Sequence, residues 1–238
     1  MIYVLSDIHG RKDRFDDILR QIDFGKADKL YVLGDVIDRG PDGIALLQQI
    51  RDDPRMFMLL GNHEYMMLNA VKHPNDVDPM YLWYLNGGGI THEVYKALQE
   101  DEKERLVNYL SKLPLNRRVT VNGKKFLLVH GAPADWYSQD RLKHHSKRYF
   151  AVWTRMPVHQ PIEEDICIVF GHTPTSHYAG SSSKLRIWKR KDGKMVGVDC
   201  GCAYGDYHSQ LGCLCLNDMR EFYSSKELHL EEDLLHLF

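Results

Sequence analysis

Three short stretches concentrate the residues of this chain that could do metal or proton chemistry. They are Asp7-Ile8-His9-Gly10, Gly34-Asp35-Val36-Ile37-Asp38-Arg39-Gly40 and Gly61-Asn62-His63-Glu64. Two later stretches add His130-Gly131 and Gly171-His172-Thr173-Pro174. A carboxylate oxygen and an imidazole nitrogen two residues apart, as in Asp7 and His9, make half of a site for a divalent transition metal. In extended backbone these two side chains would share one side. Asp35 and Asp38 are spaced so that one can hold a metal while the other orients a neighbour. Arg39 presents a planar fork to an anion. Asn62 can lend a neutral oxygen to a metal, and His63 can carry a proton near neutral pH.

Each stretch follows an apolar run of strand type: residues 2–5, 30–33, 56–60, 125–129 and 166–170. A sixth run, 195–198, delivers Asp199-Cys200-Gly201. Helical spacing of apolar residues follows the first two runs, with Phe15, Ile18, Leu19 and Ile22, then Ile44, Leu46, Leu47 and Ile50. The order strand, helix, strand predicts an α/β sheet whose site lies beyond the carboxyl ends of the strands. Residues scattered in sequence should therefore converge. Asp7, His9, Asp35, Asn62, His130 and His172 are too many ligands for one tetrahedral zinc. They suit two metals sharing a carboxylate, with Asp35 the natural bridge. Two metals about 3.5–4 Å apart clamp the attacking and leaving oxygens of an in-line displacement and make hydroxide available near neutral pH. His63, oriented by Asp38, can then protonate the leaving oxygen.

From about residue 70 to 118 the strand rhythm stops. Helices are expected over 91–98 and 103–113, so this stretch reads as a helical cap inserted into one domain spanning residues 1–238. Gly87-Gly88-Gly89 could cradle a phosphate, but a tight turn is the plainer reading without a strand-to-helix context. The basic run 141–148 reads as a solvated face. Residues 211–216 and 220–223 read as closing antiparallel strands, and 227–238 as a docked strand or short helix.

A formal net charge of −2 gives no global pull toward nucleic acid or an acidic membrane. No stretch has the length needed to cross a bilayer. The five cysteines lie in apolar, strand-like stretches, and Cys200/Cys202 and Cys213/Cys215 have the wrong spacing for common zinc ribbons. Buried thiols in a reducing cytoplasm are expected.

The five polar stretches, in this order, resemble the signatures of the PPP family of metallophosphoesterases, over residues 7 to about 201. Leu85-Asn86-Gly87-Gly88-Gly89 and Trp153-Thr154-Arg155 look most like the bacterial and phage lambda-type serine/threonine phosphatases. That resemblance implies a calcineurin-like sandwich of two mixed β-sheets flanked by helices. It implies Asp7, His9 and Asp35 on one metal, and Asp35, Asn62, His130 and His172 on the other, with manganese the usual metal and iron or zinc as alternatives. By the same resemblance His63 is the acid paired with Asp38, and Arg39, Asn62 and Arg155 hold phosphate. Ser6 stands where glycine is commoner, and Leu60 where phage-type relatives often carry arginine, which bears on substrate preference. The expected substrate is phosphoserine or phosphothreonine on a protein, with phosphotyrosine or another phosphorylated small molecule also within reach. The alternative is a symmetric diadenosine tetraphosphate hydrolase of the same family, for which Tyr81, Trp83, Trp136 and Tyr137 are candidate base platforms. A metal-binding scaffold without turnover is the third reading, and the intact acid pair argues against it.

Overall fold

The computed structural model describes residues 1–138, 146–163, 165–179, 185–204 and 208–225. The first third alternates as the apolar periodicity requires: β1 (Ile2–Leu5), α1 (Lys12–Gln21), β2 (Lys29–Val32), α2 (Gly43–Asp52), β3 (Met56–Met58), α3 (Asn62–Lys72). Three helices follow, α4 (Val77–Leu85), α5 (Gly89–Ala97) and α6 (Glu100–Ser111). The second half holds β4 (Asn116–Val121), β5 (Lys124–Val129), α7 (Lys147–Trp153), β6 (Cys167–Phe170) and α8 (Ser176–Ala179). The last strands are β7 (Trp188–Lys189), β8 (Met195–Gly197), β9 (Gly212–Cys215) and β10 (Glu221–Tyr223).

The strands form two mixed five-stranded sheets, ordered β10-β9-β1-β2-β3 and β4-β5-β6-β8-β7. In the first, β1 pairs parallel with β2 (Val4 opposite Tyr31) and antiparallel with β9 (Val4 opposite Leu214). In the second, β5, β6 and β8 run parallel, with Leu128 opposite Val169 and Val169 opposite Val196. Alternation along each strand explains the layers. Val4, Tyr31, Leu33, Phe126, Leu128, Val169, Val196 and Leu214 fill one cluster between the sheets. Their sequence neighbours Tyr3, Leu5, Leu30 and Val32 face outward onto Phe15, Ile18, Ile44 and Leu47 of α1 and α2. Leu127, Val129, Ile168 and Phe170 face the other way, onto Met156 and Ile166. Strands buried on both faces read as continuous apolar runs, which is why they were visible in the sequence. Fully burying one such side chain stabilises the fold by about 1.5–3 kcal/mol.

Two strands differ from the sequence expectation. β4 begins at Asn116, inside the stretch read as helical, and it is an edge strand carrying exposed Arg117 and Arg118. Its polar face hides the apolar signal, and charge on an edge blocks pairing with another chain. β7 has only two residues. The five cysteines are all free and buried, as expected. Of the basic run, residues 141–145 lie outside the described residues, as does the tail 227–238. Lys147 pairs with Asp135 at 2.8 Å on the surface. Among the described residues no helix is long and apolar enough to cross a membrane.

Candidate active site

The polar stretches leave β1, β2, β3, β5 and β6 at one end of the sandwich. There they line a cavity of about 120 Å³ bounded by Asp7, His9, Asp35, Asn62, His63 and His172, with Arg39 at its edge. Asp7 and His9 do not sit in extended backbone: φ is 56° and 50°, so the simple same-side argument for them fails. Asp35, Asp38, Arg39 and His172 are left-handed too, at 54°, 72°, 69° and 65°. Of the nine non-glycine residues with positive φ among the described residues, six are candidate site residues. Each such turn is held against its cost by hydrogen bonds. Asp7 N–H donates to Gly34 O, and His9 N–H donates to Asp35 O.

Glu64 holds the central turn. Its carboxylate accepts from the N–H groups of Asp35 (2.9 Å), Val36 (2.8 Å) and Ile37 (3.3 Å), and from Gly61 N–H (3.1 Å). Gly61 has no room for a side chain, because a Cβ there would stand 2.2 Å from Asp35 Oδ1. The first turn of α3 then aims His63 N–H at Asp35 Oδ1 (3.0 Å), a helix-terminal donor on a carboxylate.

Asp35 lies between two donor sets. Its Oδ2 is 3.9 Å from His9 Nε2, and its Oδ1 is 3.5 Å from His130 Nε2. Asp7 Oδ1 is 4.0 Å from His9 Nε2. Two groupings close enough to share an ion result: His9, Asp35 and His63, and Asp35, His130 and His172. The tautomers test the fit. His130 Nδ1 donates to Leu33 O (2.8 Å) and His172 Nε2 donates to Trp153 O (3.2 Å). That leaves His130 Nε2 and His172 Nδ1 as bare lone pairs, 2.9 and 2.8 Å from Asn62 Oδ1. Three acceptors meet with no proton among them, and a cation resolves that conflict. His9 is arranged likewise, donating from Nδ1 to Ile37 O (3.1 Å) and turning Nε2 inward. Such outer hydrogen bonds fix ring orientation in metal sites. Burial keeps the rings neutral: it pushes His130 down, and His172 down to about 3. Burial and the charges of Asp7 and Glu64 push Asp35 well above the usual carboxylate range, so the protein alone does not stabilise its anion.

Beside these groupings stands a His–Asp pair. His63 Nδ1 lies 2.6 Å from Asp38 Oδ2. Burial, then the Arg39 guanidinium, push His63 well below its ordinary value, while burial raises Asp38 to about 7. His63 Nε2 faces the cavity, and Arg39 donates to it and to His9 Nε2, each at 3.2 Å. Trp83 of α4 places its indole N–H on Asp38, 2.9 Å from Oδ2 and 3.1 Å from Oδ1. Arg155 stands outside the cavity, in an adjoining cleft of about 640 Å³ that it shares with Arg39, His172, His177 and Tyr204.

The structure places Asp7, His9, Asp35, Arg39, Asn62, His63 and His172 around one cavity, His130 and Asp38 in contact with them, and Arg155 in the adjoining cleft. The calcineurin-like phosphoesterase family matches residues 1–225 of this sequence. The chain belongs to that family. That family's metal-dependent phosphoesterase chemistry agrees with the Asp and His groupings above. Over 149 residues it is 33% identical to a symmetrical bis(5'-nucleosyl)-tetraphosphatase of Acidovorax sp. (strain JS42), covering 59% of this chain and 47% of that one. Over 133 residues it is 30% identical to serine/threonine-protein phosphatase 2 of Escherichia coli (strain K12), covering 54% and 57%. The chain thus spans about half the length of the curated relatives it matches. A protein serine/threonine phosphatase from Saccharomyces cerevisiae shares the fold, with TM-score 0.61 at 15% identity, over 96% of this chain and 80% of that one. So does a metallophosphoesterase from Sphaerobacter thermophilus, with TM-score 0.57 at 17% identity, over 97% and 90%.

Several contributors to the site had no role in the sequence reading. Glu64 has no role assigned from the sequence; its position three after Gly61, before an apolar run, is the signal that marks an N-terminal cap. Asp199 was named without a role. It is buried in the cavity wall, accepts from Gly201 N–H (2.8 Å), and is raised by burial and by Asp7. The aromatic platforms need correction. Trp83 is fully buried on Asp38, Trp136 packs on the outer core of the second sheet, and neither Tyr81 nor Tyr137 lines either cavity. The exposed ring beside the site is Tyr204, in a short turn with no sequence signal.

Proposed function

We propose that this chain hydrolyses phosphomonoesters, phosphoserine and phosphothreonine of proteins foremost, at a centre for two divalent metals. The observation that carries the reading is Asp35, with one oxygen toward His9 and the other toward His130. Asp7, His9 and Asp35 would hold one ion, and Asp35, Asn62, His130 and His172 the other. Manganese is the first choice, with iron or zinc as alternatives. When bound, such a pair supplies Lewis-acid stabilisation of the phosphoryl group and lowers the pKa of a coordinated water. Arg39 is the phosphate clamp: its fork lies at the cavity edge and gives up its contacts to His9 and His63 for phosphoryl oxygens. Once Arg39 has turned to phosphate, His63 Nε2, facing the cavity, takes up a proton from solvent and passes it to the leaving oxygen, while Asp38 on Nδ1 fixes the ring and supports the imidazolium. Asn62 and Arg155 complete the phosphate contacts, Arg155 from the cleft. Residues 1–238 act as one unit, with α4–α6 as its cap. The five unpaired thiols support a cytoplasmic setting.

The cleft of about 640 Å³ that adjoins the cavity, with Arg39 and Arg155 in its wall, supports a protein substrate, since it offers room for chain next to the phosphorylated residue. A second reading, hydrolysis of a symmetric dinucleoside tetraphosphate, is favoured by the Acidovorax relative and by Tyr204 exposed beside Arg39 and Arg155. Turnover of a phosphoserine peptide, a phosphotyrosine peptide and diadenosine tetraphosphate, side by side with manganese and again after chelation, separates them. The peptides should turn over faster and chelation should abolish it. Faster turnover of the dinucleotide would replace the first reading with the second, and turnover that survives chelation would reject both.

A further inference from the structure

The acid pair is reached from a part of the chain that carries none of the family's polar stretches. Trp83 is fully buried, and its only polar atom is a donor. That N–H bridges both oxygens of Asp38, at 2.9 and 3.1 Å. His63 Nδ1 contacts Oδ2 of the same carboxylate at 2.6 Å. A carboxylate turns easily about its Cβ–Cγ bond, because that torsion is broad. An indole N–H spanning both oxygens and a ring nitrogen on one of them restrict that freedom. They also stabilise the anion in a place where burial opposes it.

The neighbouring residues are arranged around this contact. Thr91 Oγ1 of α5 accepts from Asp38 N–H (3.0 Å), and Gly87 O accepts from Arg39 N–H (3.2 Å). Gly88 lies flat against the indole: a Cβ there would stand 2.3 Å from Cδ1 and Nε1 of Trp83. Gly88 therefore serves the tryptophan, while a Cβ at Gly87 would meet Arg39.

We propose that Trp83 is a positioning residue for leaving-group protonation, setting the plane of Asp38 and through it the aim of His63 Nε2. This rests on the reading of His63 as the acid. The prediction concerns a ratio. In the manganese-loaded full chain, kcat is measured for phenyl phosphate, whose leaving group needs a proton, and for p-nitrophenyl phosphate, whose leaving group needs little help. Trp83→Phe keeps the ring and removes the N–H. It should lower kcat for phenyl phosphate about tenfold to a hundredfold and for p-nitrophenyl phosphate no more than threefold, with KM and bound manganese unchanged. Gly88→Ala, which displaces the indole, should shift the ratio in the same direction. Because both esters are read on the same sample, the ratio does not depend on how much of a variant is folded. Equal loss on both esters, or none, overturns the proposal and gives Trp83 a packing role only. His63→Asn is the control. If it leaves the ratio at the wild-type value, the acid assignment fails and takes the Trp83 proposal with it. If it shifts the ratio and Trp83→Phe does not, only the Trp83 proposal fails.

Discussion

Residues 6–64 and residues 77–97 both reach the candidate active-site cavity, and they do so by different physics. The first region presents side chains from turns at the strand exits, with Asp7, His9, Asp35, Asp38 and Arg39 all left-handed. Backbone strain there is offset by bonds such as those to Glu64. The second region is two helices, α4 and α5, joined by the short turn of residues 86–88. It reaches the site through Trp83 and Thr91 on Asp38, and through Asn86 in the cavity wall. Its outer face is unusual in another way. Val77, Tyr81, Leu82, Tyr84, Leu85, Ile90 and Val94 are exposed there, seven of the nine large exposed apolar residues among the described residues. The difference teaches that reactive groups sit where the backbone is costly to deform, while the groups that aim them can sit on ordinary elements.

Substitutions can break or sharpen that contrast. His63→Asn should have the largest effect, a drop in kcat of about 10²–10⁴ on esters with poor leaving groups. Metal content by mass spectrometry should stay at the wild-type level, since His63 serves as acid. Gly61→Ala comes next. The new Cβ must displace Asp35 or Glu64, so a thermal or urea melt should show about 1–3 kcal/mol of destabilisation, with weaker manganese binding. A carboxylate outside the site gives the control. Asp17 accepts from Ser225 N–H and Oγ–H and from Gln21. Burial raises it, but those bonds and Arg20 prevail and hold it below the usual carboxylate range. A depressed folded value contributes stability above the unfolded value near about 4 and loses it as pH falls through the folded value. Asp17→Asn should cost about 1 kcal/mol at pH 7, and that difference should shrink between about pH 5 and pH 2 with kcat unchanged. Smallest of all, Leu85→Ser on the exposed face should change stability by less than about 0.5 kcal/mol and leave kcat on aryl phosphates intact. A tenfold loss there would tie the outer face to chemistry and erase the contrast.

The same contrast explains what the sequence made legible. Strands such as Leu30-Tyr31-Val32 stand out because both faces are buried, and Asp35 or His130 stands out because a polar group at the end of such a run is costly without a job. Trp83 had no such mark, since a tryptophan on an apolar helix is what a core residue looks like. Glu64 and Thr91 acquire their roles only when Asp35 and Asp38 are brought to them across the fold, 29 and 53 residues away in sequence. The left-handed turns at Asp7 and His9 escaped because residue spacing implies a direction only once the backbone conformation is known. β4 escaped because an exposed edge strand carries charge where a core strand carries valine.

The central claim is that Asp35 serves two ions at once. The most direct measurement is a manganese titration of chelator-stripped protein, by calorimetry and by metal analysis after gel filtration, for the wild type and for Asp35→Asn. Two ions per chain in the wild type, with turnover returning as they bind, and loss of both stoichiometry and turnover in Asp35→Asn, is the predicted result. A single ion at saturation in the wild type, or two ions retained by Asp35→Asn, would contradict it.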